Sequence, residues 1–303
     1  MSPSRSTEDS PSAATHATAS LPREFLQYAN PRRFFALALG LSWLFWTPIA
    51  LLGLKPFSMP GIGMFALGGL GPAAAEFVLI LREADPSYVQ DYRQRVLDYR
   101  RIGLRWGLVV LLFFPVVNGI ALGLVVLDGG SLPAFETATD LLADPITILP
   151  YAGFIMLFGP LPEELGWRGY ALDGLQARWS ALAASLILGT LWAAWHLPLF
   201  FMAGSFQAEL GLFTPQFAFY TGSIVVSSIL YTWIYNNTNR STLSAILFHF
   251  MTNFSGELMG LSDRARLFQF VLIALAAILV VLAWGPGTLT RNPRERSAGM
   301  LGS

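Results

Sequence analysis

Eight runs of roughly 20 mostly apolar residues, each long enough to cross the hydrocarbon core of a bilayer, occupy most of this 303-residue chain. They lie at 34–54, 62–81, 106–127, 146–162 with a polar continuation to about 177, 181–203, 216–235, 242–260 and 267–285. In lipid every backbone polar group must be satisfied within its own segment or in a closed barrel. Runs of this length therefore predict an all-α fold, a polytopic membrane bundle of about eight transmembrane helices. Composition agrees, with 54% hydrophobic and 13% charged residues against about 25% charged in soluble domains. The 19 basic and 19 acidic residues cancel, so a nucleic-acid partner has no electrostatic support and the lipid bilayer is the expected surrounding. Cysteine is absent, which removes disulfides, thiolate metal sites and cysteine nucleophiles.

Residues 1–30, rich in Ser, Thr, Ala and Pro, read as a disordered cytoplasmic tail. Residues 31–288 read as the transmembrane bundle and 289–303 as a cytoplasmic C-terminal tail. Arginine placement sets the orientation. With the N-terminus inside, the inner segments hold Arg5, Arg23, Arg32, Arg33, six arginines between 82 and 105, Arg168, Arg178, Arg240, Arg291, Arg294 and Arg296. Only Lys55, Arg264 and Arg266 remain outside. The positive-inside rule then makes this a multi-pass cell-membrane protein with both termini cytoplasmic. The arginine-rich stretch 82–105 reads either as an amphipathic helix on the inner leaflet or as a solvated connector.

Ionisable and amide side chains inside a bilayer are expensive and by default mark function. Here they are Glu76, Glu163, Glu164, Arg168, His196, His249, Asn253 and Glu257; the third histidine, His16, lies in the tail. Pro160 and Pro162 interrupt the fourth run, so a new helical segment is expected near Pro162, a favoured first-turn residue. Glu163 and Glu164 then fall in its first turn, where the helix dipole stabilises negative charge. Arg168 follows Glu164 by four residues, the favourable order for a same-face ion pair. That pairing leaves Glu163 without a local partner and free to act as a general base. Folding at Arg178–Ser180 brings Glu163 and His196 to one height, about 25 Å from the turn at 1.5 Å per residue. His249, Asn253 and Glu257 recur at i, i+4 and i+8 and share one helix face.

A glutamate, two imidazoles and an amide suit hydrolysis of an acyl bond. The carboxylate activates water, an imidazole orients it or serves as acid, and His with Asn stabilises the oxyanion. No cofactor is demanded; Zn²⁺ held by Glu and two His is the metal alternative, without the local HExxH spacing that usually supports it. A proton-coupled transporter would use the same residues as a relay, but no internal repeat supports it.

Three motifs occur in order on separate spans: EELGWR at 163–168, WAAWH at 192–196 and HFMTN at 249–253. Together they resemble the Glu-Glu-x-x-x-Arg, aromatic-x-x-x-His and His-x-x-x-Asn signatures of the CPBP family of intramembrane proteases, which includes CAAX prenyl endopeptidases and bacteriocin-immunity relatives. The resemblance covers about 146–260, with Trp192 where the family often has Phe. It implies that Glu163 is the water-activating base, that Glu164 and Arg168 support it, that His196 and His249 complete the site, and that Asn253 stabilises the oxyanion. The expected partner is a peptide or membrane-protein substrate, cut near its C-terminus at the cytoplasmic side. A non-catalytic scaffold or immunity factor is the alternative. Glu76 and Glu257 have no motif role and are expected to be structural or cavity-lining.

Overall fold

A computed structural model of the chain describes residue 25 and residues 28–291; most of the expected tails, His16 among them, lies outside the described residues. Leu44, Leu51, Phe77, Leu108, Leu112, Val116, Leu149, Phe154, Ile278 and Leu282 are exposed around the bundle. An apolar surface this extensive belongs against lipid. The inside carries the polar side chains, with Glu76, Asn118, Glu163, Glu164, Arg168, Asp173, His196 and His249 all buried. No strand occurs among the described residues.

Helix α1 (Pro31–Leu51) crosses the bundle, and α2 (Gly61–Gly69) with α3 (Gly71–Glu83) returns. A short surface helix α4 (Pro86–Leu97) leads into α5 (Gly103–Leu127). After α6 (Glu136–Ala143), the chain re-enters through α7 (Ile148–Leu157), α8 (Pro160–Gly166), a π-helical turn Trp167–Ala171, and α9 (Leu172–Gln176). It continues through α10 (Ala181–Trp195), the short α11 (Phe206–Leu210), α12 (Pro215–Asn237), α13 (Thr242–Met259) and α14 (Asp263–Trp284). Side chains of Ser180, Thr214, Ser241 and Ser262 accept the first free backbone N–H groups of α10, α12, α13 and α14. These caps fix where each span begins.

Six segments are long and apolar enough to cross a membrane. The expected second span makes a seventh, but it bends by 51° between α2 and α3. The expected seventh span, α13, is helical but too polar for that criterion, because His249, Asn253, Glu257 and several hydroxyls lie on it. The fourth span restarts at Pro160, two residues before the expected position. The fifth helix stops at Trp195, with His196 as its cap. Pro198 explains that stop, since it has no N–H for the Ala194 carbonyl, and the chain goes on as a 3₁₀ helix over Leu197–Phe201.

Small residues let the central helices touch. An alanine Cβ at Gly166 on α8 would sit 2.7 Å from the Pro72 carbonyl oxygen of α3, and one at Gly189 on α10 would sit 2.9 Å from Val225 and Ser228 of α12. Close backbone approach of this kind is the usual basis of helix association in lipid.

The end of the bundle where the described residues begin and end is well tied. Phe25 packs edge-on against Tyr88 at 5.5 Å, Tyr28 donates to Asp85 at 3.0 Å, and Ala29 is fully buried. At the other terminus Leu289 is buried, and Asn236 and Asn237 donate to the carbonyls of Thr288 and Leu289. Part of each segment read as a tail is therefore packed on the bundle. Helix α4 is neither a free amphipathic anchor nor a solvated connector: its Tyr88 and Arg95 are fully buried against the bundle.

Candidate active site

The break between α7 and α8 at Gly159 turns the next carboxylates inward. Glu163 lies in the first turn of α8, and Glu164 follows it. Their side chains diverge because adjacent helical residues point about 100° apart. Glu164 is fully buried and receives Nη1 of Arg168 on both oxygens, at 2.9 and 3.0 Å. The Arg168 guanidinium lies between the rings of Trp192 and Tyr231, at 4.7 and 4.5 Å, and donates Nη2 to Ser228 Oγ at 3.1 Å. A fully buried cation is tolerable there because a carboxylate neutralises its charge, both terminal nitrogens are bonded and two rings lie against it, leaving only Nε without a hydrogen-bond partner.

The sequence reading assigned Glu164 to Arg168 alone and left both histidines to Glu163. That division does not hold. His249 Nδ1 lies 3.0 Å from Glu164 Oε1, so Arg168, Glu164 and His249 form one chain of contacts. Nor is Glu163 without a partner: its Oε2 accepts from Trp192 Nε1 at 2.6 Å. Of the two adjacent glutamates, Glu163 lines the cavity and Glu164 does not.

The hairpin register also shifts. Equal heights were expected for Glu163 and His196, but Glu163 bonds to Trp192, one turn earlier on α10. The π turn at Trp167–Ala171 contributes to this, since its i to i+5 pattern puts more residues in each turn and shortens the first arm. His196 nevertheless lines the same cavity, and its Nδ1 lies 2.9 Å from the Trp192 carbonyl oxygen. A carbonyl only accepts, so Nδ1 carries the proton and Nε2 holds the lone pair. The same reasoning applies to His249 against the Glu164 carboxylate.

The cavity holds about 400 Å³. Glu163, His196, His249, Asn253 and Glu257 all line it; Glu76 does not. The Asn253 amide nitrogen and Glu163 Oε1 both face Gly159, lying 3.4 and 3.9 Å from where a Cβ would stand. One wall runs through Phe65, Leu70, Leu157 and Phe158, of which Leu70, Leu157 and Phe158 are also exposed on the apolar outer surface. The other end is polar, with Gln207, Gln216, Asp263 and Arg266. Those residues lie at the ends of α11, α12 and α14 farthest from the termini.

The zinc alternative would draw on the Glu163 carboxylate and on Nε2 of His196 and His249, since Nδ1 of each histidine is engaged and Glu164 is bound to a guanidinium. As arranged, no group of three His, Asp or Glu among the described residues is placed to hold a metal ion.

A buried carboxylate, two imidazoles and an amide line one cavity of a polytopic helical scaffold, a set of groups that hydrolysis of an acyl bond can use. The comparisons with known proteins bear on that chemistry. Residues 145–255 match the family described as type II CAAX prenyl endopeptidase Rce1-like. The chain is also similar to CAAX prenyl protease 2 of Methanococcus maripaludis, with 29% identity over 260 residues, covering 84% of this chain and 93% of that protein. Both similarities support an intramembrane protease of the CAAX prenyl endopeptidase type, and the apolar helices support a multi-pass membrane protein.

Two contributors escaped the sequence reading. Trp192 was taken as a harmless departure from Phe, yet it donates to Glu163 and stacks on Arg168. The signal was present, because an indole N–H needs an acceptor when buried. The second, Arg95, bonds to the Gly169 carbonyl inside the π turn at 2.8 Å. Only its i, i+4 spacing from Asp91 could have hinted at an ordered role.

Proposed function

We propose that this protease hydrolyses its peptide bond with a water activated by Glu163. The observation that carries this reading is the unequal pair of carboxylates: Glu164 is consumed by Arg168 and His249, while Glu163 faces the cavity. In the proposed reaction, water attacks the scissile carbonyl as Glu163 takes its proton. The Nε2 lone pair of His196 or His249 orients that water. The Asn253 amide donates to the tetrahedral oxyanion, and Glu163 returns the proton to the leaving nitrogen as the C–N bond breaks. The products are a carboxylate and an amine, so atoms and protons balance without a further reagent. Arg168 and Glu164 hold His249 in the tautomer that keeps Nε2 free.

The substrate class we infer is a peptide or membrane protein trimmed near its C-terminus, as the name of the Methanococcus relative suggests for that protein. The apolar wall at Phe65, Leu70, Leu157 and Phe158 supports an apolar chain lying beside the scissile bond. Arginine placement supports a cell-membrane protein with both termini cytoplasmic. In that orientation the polar end of the cavity lies toward the opposite face, while access from the lipid along the apolar wall does not depend on orientation. The test is incubation of the purified protein in detergent with a proteome-derived peptide library, with and without chelator, and mass spectrometry of the products. Cleavage insensitive to chelator is expected. Absence of cleavage overturns the peptidase reading, and chelator-sensitive cleavage restored by Zn²⁺ overturns the glutamate–water mechanism.

A further inference from the structure

The π turn lies directly after the two glutamates, and all five of its residues are buried. It carries Arg168, so its shape decides where the guanidinium points and, through Glu164, where His249 is held. A π turn is rare and frequent at functional sites. Something outside the turn must favour it over the ordinary helix.

Helix α4 supplies that contact. Arg95 donates Nη1 to the Gly169 carbonyl at 2.8 Å and to the Tyr235 hydroxyl at 3.0 Å, and Nε to Asp91 at 2.9 Å. Its Nη1 also lies 3.4 Å from Asp173 Oδ2, and the side chain is fully buried. One turn earlier on α4, Tyr92 lies 3.1 Å from where a Cβ on Gly169 would stand. Asp173 is shared with Arg240 at 2.5 Å and with Tyr235 at 3.1 Å, and Arg240 reaches Asp91 at 3.2 Å. Arg240 belongs to the same ionic cluster, and its hydrogen bonds go to Asp91 and Asp173. Of the two arginines described in the cluster, Arg95 is the one that bonds to the turn, through the Gly169 carbonyl.

We propose that Arg95 is a positioning residue for proteolysis: it fixes the π turn that aims Arg168 at Glu164, from a helix outside the 145–255 segment matched to the family. The proposal rests on the peptidase reading of the site. A fork of donors is required, since one guanidinium serves an acid, a carbonyl and a hydroxyl at once; a lysine keeps the charge but presents a single point.

The experiment compares Arg95→Lys with Arg240→Lys in the full-length protein. Arg95→Lys should lower kcat about 10- to 100-fold with KM within about threefold, as expected when a catalytic group is misplaced by about 1 Å. Hydrogen exchange of amides 167–171 should quicken by roughly tenfold or more in Arg95→Lys, and by less than about threefold in Arg240→Lys. Arg240→Lys should also retain kcat within about threefold. Wild-type kcat and unchanged exchange in Arg95→Lys overturn the proposal, as does an equal loss in both variants, which would make the cluster a general clamp. If the wild-type protein cleaves no peptide, the peptidase reading fails and the exchange comparison alone decides the role of Arg95.

Discussion

Replacing Glu163 and Glu164 separately by Gln should produce two different failures. At Glu163 the Gln carbonyl can still accept the Trp192 indole N–H, which is 2.6 Å away in the native site. The fold should survive and the base is lost, lowering kcat by about 10²–10⁴, or roughly 3–5 kcal/mol of transition-state stabilisation. At Glu164 the neutral amide leaves a fully buried guanidinium with Ser228 and two ring faces but no counter-charge. Breaking a buried ion pair in this way costs about 3–5 kcal/mol. At roughly 2–4 °C per kcal/mol for a domain of 150–250 residues, the melting temperature should fall by about 10 °C. Thermal unfolding in detergent and peptide turnover, measured on the same preparations, separate the two outcomes. The reasoning is refuted if Glu163→Gln keeps turnover within about tenfold of wild type. It is also refuted if Glu164→Gln unfolds at the wild-type temperature; a fully stable, inactive Glu164→Gln would move the base to that residue.

Gly166→Ala should lower the melting temperature by several degrees, because its Cβ would meet Pro72 at 2.7–2.8 Å and overpacking costs about 1–3 kcal/mol; an unchanged transition would contradict the close α3–α8 contact. Gly159→Ala places a methyl in van der Waals contact with the Asn253 amide at 3.4 Å and Glu163 Oε1 at 3.9 Å, crowding the space between the two, and should reduce kcat about tenfold with little change in stability. Wild-type turnover would remove Asn253 from the reaction geometry. The cysteine-free chain allows clean orientation mapping with single cysteines at the exposed positions Leu132 and Arg100. An impermeant maleimide should label Leu132→Cys on intact cells and Arg100→Cys only after lysis. The reverse pattern would place the polar mouth on the cytoplasmic side.

The polar side chains were legible because charge in lipid is costly, so Glu163, Glu164, Arg168, His196, His249 and Asn253 stood out from an apolar background. The Arg168–Glu164 pair followed from helical spacing alone, since both residues lie on one continuous segment. What stayed hidden depends on geometry between segments. The π turn has no local sequence mark, and the bond from Trp192 to Glu163 crosses from α10 to α8. The contact of His249 with Glu164 joins residues on α13 and α8, and no spacing rule reaches across helices. Arg95 sat among neighbouring arginines that do face water, which concealed its fully buried side chain. The bend between α2 and α3 was also missed, because hydropathy averages over a window and does not register a change of direction.

The apolar wall of the cavity includes side chains that also face the surroundings of the bundle, at Leu70, Leu157 and Phe158. A substrate dissolved in the bilayer and arriving along that wall meets the protein in two dimensions. The quantity that saturates the enzyme is then the number of substrate molecules per lipid, not per litre. Adding inert lipid at constant substrate and protein should slow turnover, although no bulk concentration of either has changed. The same cavity would be kinetically richer in a small, crowded membrane than in a large, dilute one, so membrane area becomes a determinant of rate alongside the chemistry of Glu163.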